Sequence, residues 1–148
     1  MGNSSDISNL ITLDNVVETL KSEDVIHISP IYDLEKKPKY WKVLKPITFE
    51  TSFGKVYTIP EGFVTDLCTV PRFLWGYFPP FGYYTLAYLI HDYFYITHQD
   101  EVSRLKADEE MFIWAQKINP KKGDNLTRYI IVLLTGWLYW GKYISFNK

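Results

Sequence analysis

Tyr84-Thr-Leu-Ala-Tyr-Leu-Ile-His-Asp-Tyr-Phe-Tyr-Ile-Thr97 marks the point where the chain changes its structural period. Apolar side chains occur nearly all round a 3.6-residue repeat, which predicts a deeply buried helix. Upstream the pattern is that of strands and turns. Residues 25–28 read as a short strand, residues 36–39 (Lys-Lys-Pro-Lys) as a solvated loop, and residues 40–44 and 46–53 as strands. Ser52-Phe-Gly-Lys55 then turns into residues 56–59, which predicts a hairpin. Pro60-Glu-Gly62 is a turn, and residues 63–70 run extended up to Pro71, which disfavours helix at the residue before it. Ahead of the strands, residues 14–20 form a short helix candidate with Asp14 as N-cap.

Downstream, a turn through His98-Gln-Asp100 leads to a second helix over 103–117. Ser103 is its N-cap, without a complete capping box because Lys106 occupies the third position. Asn119-Pro-Lys-Lys-Gly123 separates this from a third helix over 125–143. The predicted class is α+β, a small N-terminal antiparallel sheet followed by a cluster of three helices.

At 148 residues the chain reads as a single domain, with residues 1–9 (Ser/Asn-rich) as a loose end. Aromatic residues are 18% of the composition, so the core should be rich in rings with phenol and indole hydrogen bonds at its edge. A formal net charge of −1 gives no global basic field, which argues against general nucleic-acid binding. Cys68 is the only cysteine, so intramolecular disulfides and a cysteine-rich zinc site are excluded. Cys68 reads as a small semi-buried hydrophobe, the thiolate alternative having only His91 as an obvious base.

Residues 1–25 lack the apolar stretch of a signal peptide. Met1-Gly2 opens like a myristoylation signal, but Asp6 stands where that pattern wants Ser or Thr. Between Arg128 and Lys142 the third helix carries no formal charge. That run falls short of the roughly 20 residues a bilayer requires, so a buried helix is expected and membrane association is not.

The polar residues set in apolar sequence are Asp66, Thr69, Arg72, His91, Asp92, Arg104 and Asp108. Arg104 and Asp108 are four apart and share a helix face. His91 and Asp92 diverge by about 100° and can only flank a groove. If the first two long helices form an antiparallel hairpin turning near residue 100, Asp92 lies opposite Asp108. His91, Asp92, Arg104 and Asp108 then come together, and Asp66 and Thr69 would join from the loop that leaves the sheet.

Such a set could do two kinds of chemistry. His91, Asp92 and Asp108 could ligate one divalent metal ion, the only cofactor these residue types suggest. Alternatively Asp66, His91 and Asp108 could act as acid and base, with Thr69, Asp92 and Arg104 in support. The same residues could equally form an architectural polar network, with Arg104–Asp108 an ordinary helical ion pair. Arg72 reads as a surface or carboxylate-pairing cation. His27 and His98 read as a strand and a loop residue with no assigned role.

Ile59-Pro-Glu-Gly-Phe-Val-Thr-Asp66, Val70-Pro-Arg72, His91-Asp-Tyr93, and Ser103-Arg104 with Ala107-Asp108 together resemble domain-of-unknown-function family 1353, a family of small bacteriophage and prophage proteins. The likeness covers about residues 43–143. Cys68-Thr69 stands where the family has Ala-Ser, which keeps a hydroxyl but weakens a serine-nucleophile reading. The resemblance implies a phage setting, a virion or host-cytoplasm location, and Asp66, Thr69, His91, Asp92, Arg104 and Asp108 as the family's polar positions. It supplies no reaction. Two functions follow as expectations: a virion structural or assembly component whose partners are other virion proteins, and a phage-encoded metal-dependent or acid–base hydrolase acting on a host polymer such as cell wall.

Overall fold

The computed structural model describes residues 10–21, 26–33, 36–65, 85–98, 100–120 and 122–135. A short helix α1 (Val16–Lys21) precedes five strands, β1 (Ile28–Asp33), β2 (Lys36–Val43), β3 (Ile47–Glu50), β4 (Val56–Ile59) and β5 (Val64–Thr65). Three helices follow, α2 (Thr85–Thr97), α3 (Arg104–Ile118) and α4 (Lys122–Thr135). The fold is α+β, as the sequence predicts.

The strands divide into two antiparallel sheets rather than one, a three-stranded β1-β2-β5 and the two-stranded β3-β4 hairpin. Residues 36–39, read from sequence as a loop, belong to β2. The ladder in register Ile28↔Val43 through Ile31↔Tyr40 is resumed at Asp33↔Lys36, which carries the strand back across these residues. Between Ile31↔Tyr40 and Asp33↔Lys36 the single residue Tyr32 faces Lys37, Pro38 and Lys39, an irregularity that admits a proline where a regular ladder would need its N–H. Of the strand expected over 25–28, Val25 lies outside the described residues and β1 takes in only Ile28, while the one expected over 46–53 ends at Glu50. Thr51 accounts for the latter, because its hydroxyl donates to the Lys55 carbonyl (3.0 Å) and accepts from the Lys55 N–H (3.0 Å). Gly54 in that turn and Gly62 after Pro60 both adopt positive φ (81° and 89°), a conformation that favours glycine.

The first helix begins one residue later than an Asp14 cap implies. Its first backbone bond runs from Thr19 N–H to Asn15 O (2.9 Å), and the Asn15 side chain binds back to Thr12 N–H and Leu10 O. Ser103 caps α3 as predicted, its hydroxyl accepting from Lys106 N–H.

Every residue of α2 from Thr85 to Ile96 is buried, because the helix packs against both the sheets and α3. Phe49 of β3 is the hub of the ring-rich core. It stacks on Tyr57 (centroids 6.0 Å) and meets Phe94 (5.9 Å) and Trp114 (6.0 Å) edge-on, joining the hairpin to α2 and α3.

Helix α4 corrects the expectation of a buried apolar third helix. Asn125, Arg128 and Val132 face inward, while Leu126, Ile130 and Leu134 are exposed. The inward face is polar because it has polar work to do: Arg128 Nε donates to Tyr88 Oη (3.0 Å), and Asn125 binds Gln116 and the Asn119 carbonyl. Residues 136–143 of the expected helix lie outside the described residues. Among those described, no helix is long and apolar enough to cross a membrane.

Phe49→Ala should remove about 3–5 kcal/mol of stability, the range for a large ring deleted from a closed core. Chemical denaturation checks this: the midpoint should fall while the slope with denaturant holds.

Candidate functional site

Asp108, on the inward face of α3, is fully buried and is the acceptor at the centre of the polar cluster. Its Oδ1 accepts from His91 Nε2 (2.8 Å) and from the Tyr95 hydroxyl (2.5 Å). Its Oδ2 accepts from Arg104 Nη1 (3.1 Å), one turn earlier on the same helix. Helical spacing dictates both pairings. His91 and Tyr95 are four apart on α2, their rings 4.1 Å between centroids, so both reach one point on α3. Arg104 and Asp108 are likewise four apart, and Arg104 Nη1 also donates to the Leu133 carbonyl of α4 (3.2 Å).

Asp92, adjacent in sequence to His91, turns toward the sheet instead. Its Oδ2 accepts from the Thr65 hydroxyl of β5, and its Oδ1 lies 3.6 Å from His91 Nδ1. The imidazole therefore sits between two carboxylates, closer to Asp108. Because the Asp108 carboxylate accepts on its side, Nε2 carries a proton. His91 is 1% exposed and Asp92 5%. Burial pushes the Tyr95 phenol well above its ordinary value, so it serves as a hydrogen-bond donor.

The helical hairpin anticipated from sequence thus gathers His91, Asp92, Arg104 and Asp108 into one cluster, but His91 rather than Asp92 stands opposite Asp108, because Asp92 lies about 100° further round α2 and faces β5. Asp66, Thr69, Arg72 and Cys68 lie outside the described residues. Thr65, immediately before Asp66, is the group that joins from the sheet. Among the described residues no group of three or more His, Cys, Asp or Glu side chains is arranged to hold a metal ion. His91, Asp92 and Asp108 do not form such a group because the imidazole separates the carboxylates instead of converging with them on one point.

Sequence reasoning missed two members, Thr65 and Tyr95. Tyr95 was detectable, since it stands four residues after His91 on the same helix; Thr65 was not, since its contact depends on the register Trp41↔Thr65 between β2 and β5. A second buried carboxylate was also missed. Glu110, fully buried within the acidic run Asp108-Glu-Glu110, accepts from the Ser52 N–H (3.2 Å), the Ser52 hydroxyl and Trp114 Nε1 (3.1 Å). It fastens the β3–β4 turn to α3.

With this geometry in place, comparison with known proteins identifies the lineage. A family model matches residues 41–132, more than half of the chain, and the protein belongs to that family, described as "Protein of unknown function (DUF1353)". The matched span takes in β3, β4, β5, α2, α3 and the whole described polar cluster, starting close to the expected residue 43 and stopping short of 143. No curated protein and no solved structure matches the chain.

Asp108→Ala should cost about 3–5 kcal/mol, since it leaves buried donors facing a void. Tyr95→Phe, which deletes a single hydrogen bond to a charged acceptor, should cost about 2 kcal/mol. Equilibrium unfolding of the two variants beside the parent protein measures the difference.

Proposed function

We propose that this protein is a non-enzymatic structural or assembly component of a bacteriophage particle, its Asp–His–Asp cluster serving to fix the fold. The observation that carries this reading is the closure of the cluster. His91 Nε2 and both oxygens of Asp108 are engaged by protein groups, and the two side chains are 1% and 0% exposed. A general base needs access to the proton it removes, and a metal-activated water needs an open coordination position. Neither is offered by an imidazole held between two carboxylates inside the core. The phage setting rests on the motif resemblance described above.

The acid–base or metal-dependent hydrolase is the competing reading, and it depends on Asp66 completing a site with His91 and Asp108. Two measurements separate the two. Quantitative mass spectrometry of purified particles should find the chain at a fixed copy number relative to the major capsid protein; its absence from particles would sink the structural reading. Metal analysis of the purified protein, with cell-wall hydrolysis compared between the parent and Asp108→Asn, should return neither stoichiometric metal nor activity. An activity lost in a folded Asp108→Asn would establish the hydrolase instead.

A further inference from the structure

Just beyond the C-terminal end of α2, at the turn into α3, a second set of titratable groups surrounds His98. Its imidazole lies among three rings, Tyr93 (centroids 4.7 Å), Tyr57 (4.9 Å) and Phe94 (6.2 Å). Its Nε2 pairs with the Tyr93 hydroxyl at 2.7 Å, and its Nδ1 lies 3.6 Å from Glu101 Oε2. That same Glu101 oxygen accepts from Lys55 Nζ (2.8 Å) and from the Tyr57 hydroxyl (3.4 Å), both on the β3–β4 hairpin side. The His98 carbonyl meanwhile accepts from the Glu101 and Val102 amides, closing the turn. One imidazole therefore links α2, the turn and, through Glu101, the hairpin.

We propose that His98 is a proton-operated latch tying the α2–α3 turn to the β3–β4 hairpin. In the neutral ring Nε2 accepts from the Tyr93 phenol and Nδ1–H faces Glu101, so every group is matched. A second proton on the ring makes Nε2 a donor, and the phenol must then give up its own donation. The charge must also sit among three aromatic rings, beside a carboxylate already engaged by Lys55. The groups facing His98 among the described residues are Tyr93 from α2, Glu101 from the turn, and Lys55 and Tyr57 from the hairpin.

Their own titrations leave the latch intact near neutrality. Burial raises the two phenols, and the mutual hydrogen bond raises Lys55 and lowers Glu101. Burial holds the His98 imidazole below its ordinary value of 6.5, with Glu101 opposing and Lys55 reinforcing. The sign follows from that lowering. The unfolded chain takes up the proton first, so the contribution of the latch is complete above pH 6.5 and is lost as pH falls through the lower folded value. Mild acid releases the turn from the hairpin.

Amide hydrogen exchange at Glu101 and Val102, corrected for intrinsic rates, reads the latch directly. It should speed up several-fold from pH 7 to pH 5 in the parent protein. In His98→Phe and His98→Gln, which cannot titrate at this position, that acceleration should vanish, whereas His27→Gln should leave it unchanged. If the His98 variants do not fold, the nuclear magnetic resonance titration of His98 in the parent decides. A midpoint below 6.5 that rises in Lys55→Met supports the latch. A midpoint at or above 6.5, or the same acceleration in a folded His98 variant, overturns it.

Discussion

The fold depends on one carboxylate. Asp108 has no exposure to water, and it meets that cost by collecting the imidazole of His91, the phenol of Tyr95 and the guanidinium of Arg104. Arg104 reaches on to the α4 backbone, and His91 stands beside Asp92, which holds Thr65 of β5. Three successive helices and the strand β5 (Val64–Thr65) that precedes them in sequence thus meet in one chain of polar contacts inside an otherwise aromatic core. Aromatic packing tolerates sliding, because rings accept several edge and face arrangements. A fully engaged carboxylate does not, so the cluster gives the ring-rich interior its register.

Glu110 repeats the device on the other side of α3. Asp108 and Glu110 are two residues apart and point to different faces, one toward α2 and α4, the other toward the β3–β4 turn. Helix α3 is consequently pinned on both sides by buried acids. Its exposed acid, Glu109, lies between them in sequence and forms an ordinary surface ion pair with Lys106.

Much of this was legible in the sequence. Helix α2 announced itself by its continuous apolar period, Ser103 by its capping chemistry, and the β3–β4 hairpin by its turn residues. That α2 and α3 would bring their polar residues together followed from loop length, although it is His91 that meets Asp108 while Asp92 turns to Thr65. What failed did so for physical reasons. Lys36 to Lys39 read as a loop because their charges say nothing of the Asp33↔Lys36 pair that extends β2 beyond its regular ladder. Glu110 drew no notice in the sequence because its partners, Ser52 and Trp114, include one 58 residues away. Helix α4 was misjudged because apolar content does not reveal which face turns inward, and here Arg128 and Asn125 do.

A helix without a solvent face also restricts how this protein can vary. Along most surface helices, half the positions accept almost any polar residue at little cost. On α2, from Thr85 to Ile96, no such neutral positions exist, since each side chain meets protein. Freely replaceable positions lie instead on exposed surfaces elsewhere, such as Val56 of β4, Leu105 of α3 and Leu134 of α4. Within α2, a substitution that changes volume or polarity must be matched by its neighbours across the interface.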